Sequence, residues 1–202
     1  TKLLTVLVAL ENANLTDKIT FTDECLNFLE WDDANIGMRI GEEITLEEAL
    51  YGVLLASANE VSYAVAKNVG ENLDIGYDGF IELMNERAQE LGCKNSHWVN
   101  ANGLHDENHY TTAYDMALIA SAVYQKEDFQ RIEQTLEYKL GKTNLVEEER
   151  ILDHNHKMLW PENYYYYPYA KAGKTGYTDQ SKTTLVTMAD NGNMRLAAVV
   201  LG

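Results

Sequence analysis

The first 14 residues carry the strongest hydrophobic pattern in the chain. Leu3, Leu4, Val6, Leu7, Val8, Ala9 and Leu10 follow one another with few breakers, and Glu11-Asn12-Ala13-Asn14 closes the run. This predicts a buried helix from Lys2 to about Asn14 whose first turn presents Lys2. Residues 18–41 mix polar and apolar positions without a period, strand-like at Thr20-Phe21 and turn-like at Trp31-Asp32-Asp33-Ala34-Asn35, and read as a loop-rich excursion. Thr45 with Glu47 and Glu48 marks a helix start, and Leu46, Ala49, Leu50 and Val53 give that helix an apolar face. A second helix begins near Asn59 and runs through Val61, Tyr63, Ala64, Val65 and Ala66, so Ser57 and Asn59 fall at a junction between helices. Gly76 to Leu91 is amphipathic, with Phe80, Leu83, Met84 and Leu91 inward and Gly92 as its stop. A further helix is expected from Ala113 to about Tyr124.

After Ala170 the period changes to two. Thr183 to Met188 and Met194 to Leu201 read as strands joined at Asp190-Asn191-Gly192-Asn193, and Asn-Gly between apolar runs signals a hairpin. Residues 172–178 would join the same antiparallel sheet.

Length and composition narrow the class. A chain of 202 residues with 46% hydrophobic and 24% charged residues can bury a real core, and one domain is the simplest organisation. A formal charge of −16 repels phosphate backbones and anionic lipid, so nucleic acid is not an expected partner. Cys25 and Cys93 are far apart and show neither a disulfide framework nor a zinc pattern, so two free thiols are expected. No run of apolar residues is long enough to span a bilayer.

Candidate chemistry concentrates in Gly173-Lys174-Thr175-Gly176-Tyr177-Thr178. Lys174 supplies a point charge, Thr175 and Thr178 supply hydroxyls, and Gly176 leaves room for a substrate backbone to approach; together they suit a carboxylate. A Lys-Thr-Gly triplet is weak alone, and its partners decide its meaning. Ser57-Ala58-Asn59 is one partner, although either side chain there also makes an ordinary helix cap. Thr1-Lys2 at the head of the first helix is the other, against the alternative of a snorkelling lysine. His105, Asp106 and His109, and separately His154 and His156, invite a metal reading, but they lack a helical frame and a clear third ligand. Hydrogen-bonded loops are the simpler account of both. Tyr164-Tyr165-Tyr166-Tyr167-Pro168-Tyr169 reads as an exposed aromatic loop packing on its own domain, with a stacking face for a glycan or peptide stem as the alternative.

A Ser-x-x-Lys, a Ser-x-Asn and a Lys-Thr-Gly in that order are the elements of penicillin-recognising enzymes. With Leu54-Leu55-Ala56-Ser57-Ala58-Asn59-Glu60, Asn102-Gly103-Leu104-His105-Asp106-Glu107-Asn108-His109-Tyr110-Thr111-Thr112-Ala113 and Gly173-Lys174-Thr175-Gly176-Tyr177-Thr178-Asp179, nearly the whole chain resembles the serine-type D-alanyl-D-alanine carboxypeptidases, the low-molecular-mass penicillin-binding proteins. The resemblance implies an α+β transpeptidase fold of the penicillin-binding-protein/β-lactamase type, with an antiparallel sheet packed by helices and a helical lobe. Residues 1–202 would form a single catalytic domain, expected to be trimmed at both ends from a chain with an export signal and often an anchor.

The resemblance also implies roles. The nucleophilic serine would lie three positions before Lys2; Lys2 would be the base, Ser57 the proton relay and Asn59 the group that orients Lys2 or the substrate. Lys174 and Thr175 would hold the substrate carboxylate, Gly176 and Tyr177 would complete the substrate-binding strand, and the Tyr177 N–H would meet the oxyanion. Peptidoglycan stem peptides and β-lactams are the implied partners, no cofactor is implied, and the outer face of the cytoplasmic membrane is the implied location. Asp32-Asp33-Ala34-Asn35-Ile36-Gly37-Met38 departs from the small glycine and serine residues that relatives hold before a methionine. Two rival readings are a class A β-lactamase, which needs a second general base, and a non-catalytic peptidoglycan-binding module.

Overall fold

A computed structural model describes residues 1–202. One apolar core of 43 buried residues joins a helical lobe to an antiparallel sheet. Helix α1 (Lys2–Asn12) lies at its centre, with eight of its eleven residues buried, as an apolar run without a polar stripe requires. Around it pack α2 (Leu46–Leu54), α3 (Asn59–Asn72), α4 (Gly76–Glu90) and α5 (Ala113–Val123). Helix α2 starts where its sequence indicates: the Thr45 hydroxyl accepts from the Glu48 N–H at 3.2 Å, and the Glu48 carboxylate accepts from the Thr45 N–H at 2.7 Å.

Two short ladders are less apparent from the pattern. Strands β1 (Lys18–Thr20) and β2 (Glu43–Thr45) pair across the excursion, and β3 (Glu137–Leu140) pairs with β4 (Arg150–Asp153). They are too short to establish a period, and side-chain locks hold them instead. Glu42, fully buried, accepts from both Arg150 guanidinium nitrogens at 2.8 and 3.0 Å, from the Thr143 hydroxyl at 2.7 Å and from the Arg39 N–H at 2.9 Å. Burial pushes its carboxyl up, but these bonds more than offset the push and hold it below the ordinary range.

The main sheet is β5 (Ala170–Thr178), β6 (Lys182–Asp190) and β7 (Arg195–Val200), antiparallel in that order. Helix α5 packs on β6 and β7, and α6 (Glu127–Glu133) packs on β5. The hairpin at Asp190 to Arg195 is the one that Asn191-Gly192 predicts. Because β6 pairs with only one side of β5, the other side is an open edge facing the helical lobe.

Candidate active site

Lys2 opens α1 and is 8% exposed. Its Nζ donates to Asn59 Oδ1 at 2.7 Å and to the Asn102 carbonyl at 2.6 Å, which leaves one of three ammonium protons unassigned. Burial, and then the nearby Lys174 charge, lower its pKa from 10.5 to about 7, against a smaller opposing pull from Glu60 and Asp33.

The α2–α3 junction delivers the second element. Ser57 sits there with φ +62°, in the left-handed region that an L-residue enters at a cost, and it is half-buried. Asn59 follows as the first residue of α3, its side chain on Lys2 and its N–H on the Ala34 carbonyl at 2.8 Å. Glu60, fully buried, accepts from the Ile36 N–H at 2.7 Å. The rim whose composition departs from the family pattern is thus fastened to the start of α3 by Asn59 and Glu60.

The histidine-bearing stretch supplies a contact that its composition does not advertise: the main-chain oxygen of Asn102 that receives Lys2. Gly103 makes the approach possible, with φ +86° and space for a Cβ only at 3.1 Å from the Thr1 side chain. Neither His105 nor His109 joins a ligand set. His109 bonds Thr1 Oγ1 at 2.6 Å and accepts from the Val99 N–H at 3.3 Å, which buttresses the start of α1.

On the sheet side, Lys174 is 9% exposed and donates to the Thr175 carbonyl at 2.9 Å. Burial lowers its pKa from 10.5 to about 8, and Glu133 opposes that fall. The Gly173 N–H points away from β6 to Glu133 Oε2 at 2.7 Å. Strand alternation turns the main chains of Thr175 and Tyr177 to that same open edge. Gly173 is required by packing: a Cβ would come within 2.3 Å of the His156 ring and of the Val186 carbonyl. His156, fully buried, bonds Thr187 on β6, and His154 lies 3.3 Å from Glu133.

Two details refine the sequence reading of this strand. A Cβ on Gly176 would lie 2.5 Å from Thr184 Oγ1, so packing against β6 also requires a glycine here. Thr178 pairs with the Ser181 hydroxyl at 2.8 Å and accepts from the Ser181 N–H at 3.0 Å; it belongs to the β5–β6 turn and not to the anion grip. The tyrosine run is an exposed loop: its five tyrosines are 41% to 93% exposed, and main-chain bonds from Tyr166 to Asn163 and from Tyr167 to Met158 hold it in place.

Lys2, Asn59, Asn102 and Lys174 therefore share one buried electrostatic neighbourhood, with Ser57 at the junction beside Asn59 and Thr175 and Tyr177 on the facing strand edge. Glu60, Asn102 and Glu133 were not singled out as functional by sequence. Lone acids on helices and a main-chain carbonyl leave no motif, and only the Asn-Gly pair at 102–103 hints at the turn.

A helical lobe with a buried lysine at the head of its central helix, set against the edge of an antiparallel sheet bearing Lys-Thr-Gly, defines the penicillin-binding-protein/β-lactamase-like fold class. Comparison with known proteins agrees. The Streptomyces K15 DD-transpeptidase structure matches with a TM-score of 0.87 at 26% identity, over 100% of this chain and 78% of that one. The D-alanyl-D-alanine carboxypeptidase structure from Mycobacterium tuberculosis H37Rv matches with a TM-score of 0.84 at 26% identity, over 100% and 71%. The D-alanyl-D-alanine carboxypeptidase DacF of Bacillus subtilis (strain 168) is 31% identical over 211 residues, covering 100% of this chain and 50% of its own length. The family model described as D-alanyl-D-alanine carboxypeptidase matches residues 1–202, and the chain belongs to that family. It spans about half the length of the first curated relatives it matches.

Proposed function

We propose that the protein is a serine D-alanyl-D-alanine carboxypeptidase that removes the terminal D-alanine of peptidoglycan stem peptides through an acyl-serine. The observation that carries this reading is the seating of Lys2, buried between Asn59 Oδ1 and the Asn102 carbonyl with its proton affinity brought near neutrality. A lysine so placed serves as a general base at ordinary pH. The serine three positions before Lys2 transfers its proton to neutral Lys2, and its Oγ attacks the carbonyl of the penultimate residue. The Tyr177 N–H at the open edge of β5 and the serine's own N–H receive the oxyanion. Lys2 then returns the proton through Ser57 to the departing D-alanine nitrogen as the C–N bond breaks, and water hydrolyses the ester.

Lys174 and Thr175 hold the terminal carboxylate, which confines cleavage to the chain end. β-Lactams acylate the same serine as substrate mimics, and the work is done outside the cytoplasmic membrane.

The test is intact mass of the full-length protein after incubation with a fluorescent penicillin, with peptide mapping of the adduct. One adduct on that serine, lost slowly, is the expected result. Fast turnover of the adduct makes the protein a β-lactamase, and a folded protein that takes no adduct overturns the acyl-enzyme altogether.

A further inference from the structure

We infer that Glu133 is a positioning residue for the substrate: its buried carboxylate, bonded to the Gly173 N–H, fixes the start of β5 and keeps Lys174 a cation for the substrate's terminal carboxylate. What Lys174 binds rests on the carboxypeptidase reading above; the link between Glu133 and Lys174 does not.

Glu133 is the last residue of α6 and is fully buried. That is a poor place for a carboxylate on helix grounds, because the unpaired carbonyls at a helix C-terminus repel negative charge. Its partners lie elsewhere. Oε2 accepts from the Gly173 N–H at 2.7 Å and lies 3.3 Å from His154 Nε2, while Oε1 has no hydrogen-bond partner. A buried carboxylate oxygen without a donor is costly unless a positive charge lies nearby. The cation in its neighbourhood is Lys174, next to Gly173 on the strand: it is itself buried, makes no direct ion pair with Glu133, and its Nζ is hydrogen-bonded only to the neutral Thr175 carbonyl.

The charged and titratable surroundings of Lys174 are few. Lys2 faces it from α1, Glu133 from α6, and His154 and His156 from the segment after β4. His156 is pushed down to about 4, by burial first, and is neutral at working pH. Burial works to discharge Lys174, and Glu133 is the carboxylate that works against it. The same carboxylate takes the first main-chain donor on the open edge of β5, which leaves the donors of Thr175 and Tyr177 as the next positions on that edge.

Two variants of the full-length protein separate charge from packing. Glu133→Gln keeps an acceptor for Gly173 and removes the charge; Glu133→Asp keeps the charge. In E133Q the alkaline limb of kcat/KM on a peptide ending in D-Ala-D-Ala moves down by about one pH unit, through an approximately tenfold rise in KM above neutrality, while kcat at neutral pH stays within about twofold. E133D restores the limb. Independently of activity, the 13Cε resonance of Lys174, identified by its loss in K174R, titrates at lower pH in E133Q than in wild type. If Lys174 titrates alike in both, or E133Q and E133D lose activity equally at every pH, Glu133 only packs and the inference is wrong. Should the wild type fail to cleave the peptide, the proposed function fails, and the resonance still decides the role of Glu133.

Discussion

Two lysines, Lys2 on the helical lobe and Lys174 on the sheet, are almost equally buried at 8% and 9% exposure, yet they are solvated differently. Lys2 is gripped by a side-chain amide and a main-chain carbonyl, with Glu60 and Asp33 pulling weakly from further off. Lys174 has one carbonyl on its nitrogen and the Glu133 carboxylate as its opposing charge. The first ends near 7 and the second near 8. Burial alone therefore does not assign a lysine its task. Dipoles without a dedicated anion leave Lys2 ready to give up its proton, and a buried anion beside the strand helps Lys174 to keep one.

The comparison breaks most visibly by deletion. Lys2→Ala removes the proposed base and is expected to slow acylation by penicillin by on the order of 10²–10⁴-fold, measured by stopped-flow with a fluorescent penicillin. Lys174→Ala removes a binding charge, so its larger effect, roughly tenfold to a hundredfold, falls on KM for the peptide. Equal losses in the same kinetic parameter would mean that the two lysines do not divide the work.

The pH dependence sharpens the contrast. In the proposed mechanism acylation needs Lys2 neutral, so its rate is expected to rise as pH climbs through about 7; carboxylate binding needs Lys174 charged, so affinity is expected to fall as pH climbs through about 8. The product is a narrow bell in kcat/KM with its maximum between these values, each limb belonging to the coupled pair. For a substrate analogue whose C-terminal carboxylate is amidated, the acid limb remains and the alkaline limb flattens. An alkaline limb unchanged by amidation would remove Lys174 from carboxylate recognition.

Much of this was legible in the sequence, unevenly. The Lys2 helix, the Thr45 cap and the Asn191-Gly192 hairpin each follow from a local rule that burial does not override. Lys2, Ser57, Asn59 and Lys174 were found because their spacing matches a family pattern, not because a period revealed them. The partners that tune the two lysines were not legible. Asn102 acts through its carbonyl, which any residue has, and Glu133 reaches Gly173 across 40 positions from a helix end that looks like surface. Thr178 was read as facing substrate because sequence records its hydroxyl and not the Ser181 that claims it.

The junction itself gives a smaller effect. With φ +62°, Ser57 bears left-handed strain that glycine does not feel. Ser57→Gly and Ser57→Ala both remove the proposed relay hydroxyl and are expected to slow acylation alike, while urea unfolding is expected to find the glycine variant more stable by about 1 kcal/mol. A difference in acylation between the two would mean that the backbone angle, and not the hydroxyl, matters for turnover.

The smallest expected effect lies at the other end of α2. Thr45→Ala removes the hydroxyl half of the capping box with Glu48 and is expected to cost about 1 kcal/mol in urea unfolding. Acylation should stay within about twofold of wild type. The α2–α3 junction is held by other bonds, from the Ala58 N–H to the Gly52 carbonyl at 3.1 Å and from the Asn155 N–H to the Leu55 carbonyl at 3.2 Å. Fraying the first turn leaves those bonds intact, so Asn59 keeps its hold on Lys2 and Ser57 its place at the junction. If the cap variant loses acylation in proportion to stability, the junction depends on the whole of α2, and the Lys2 side of the cleft is less rigid than the strand side it faces.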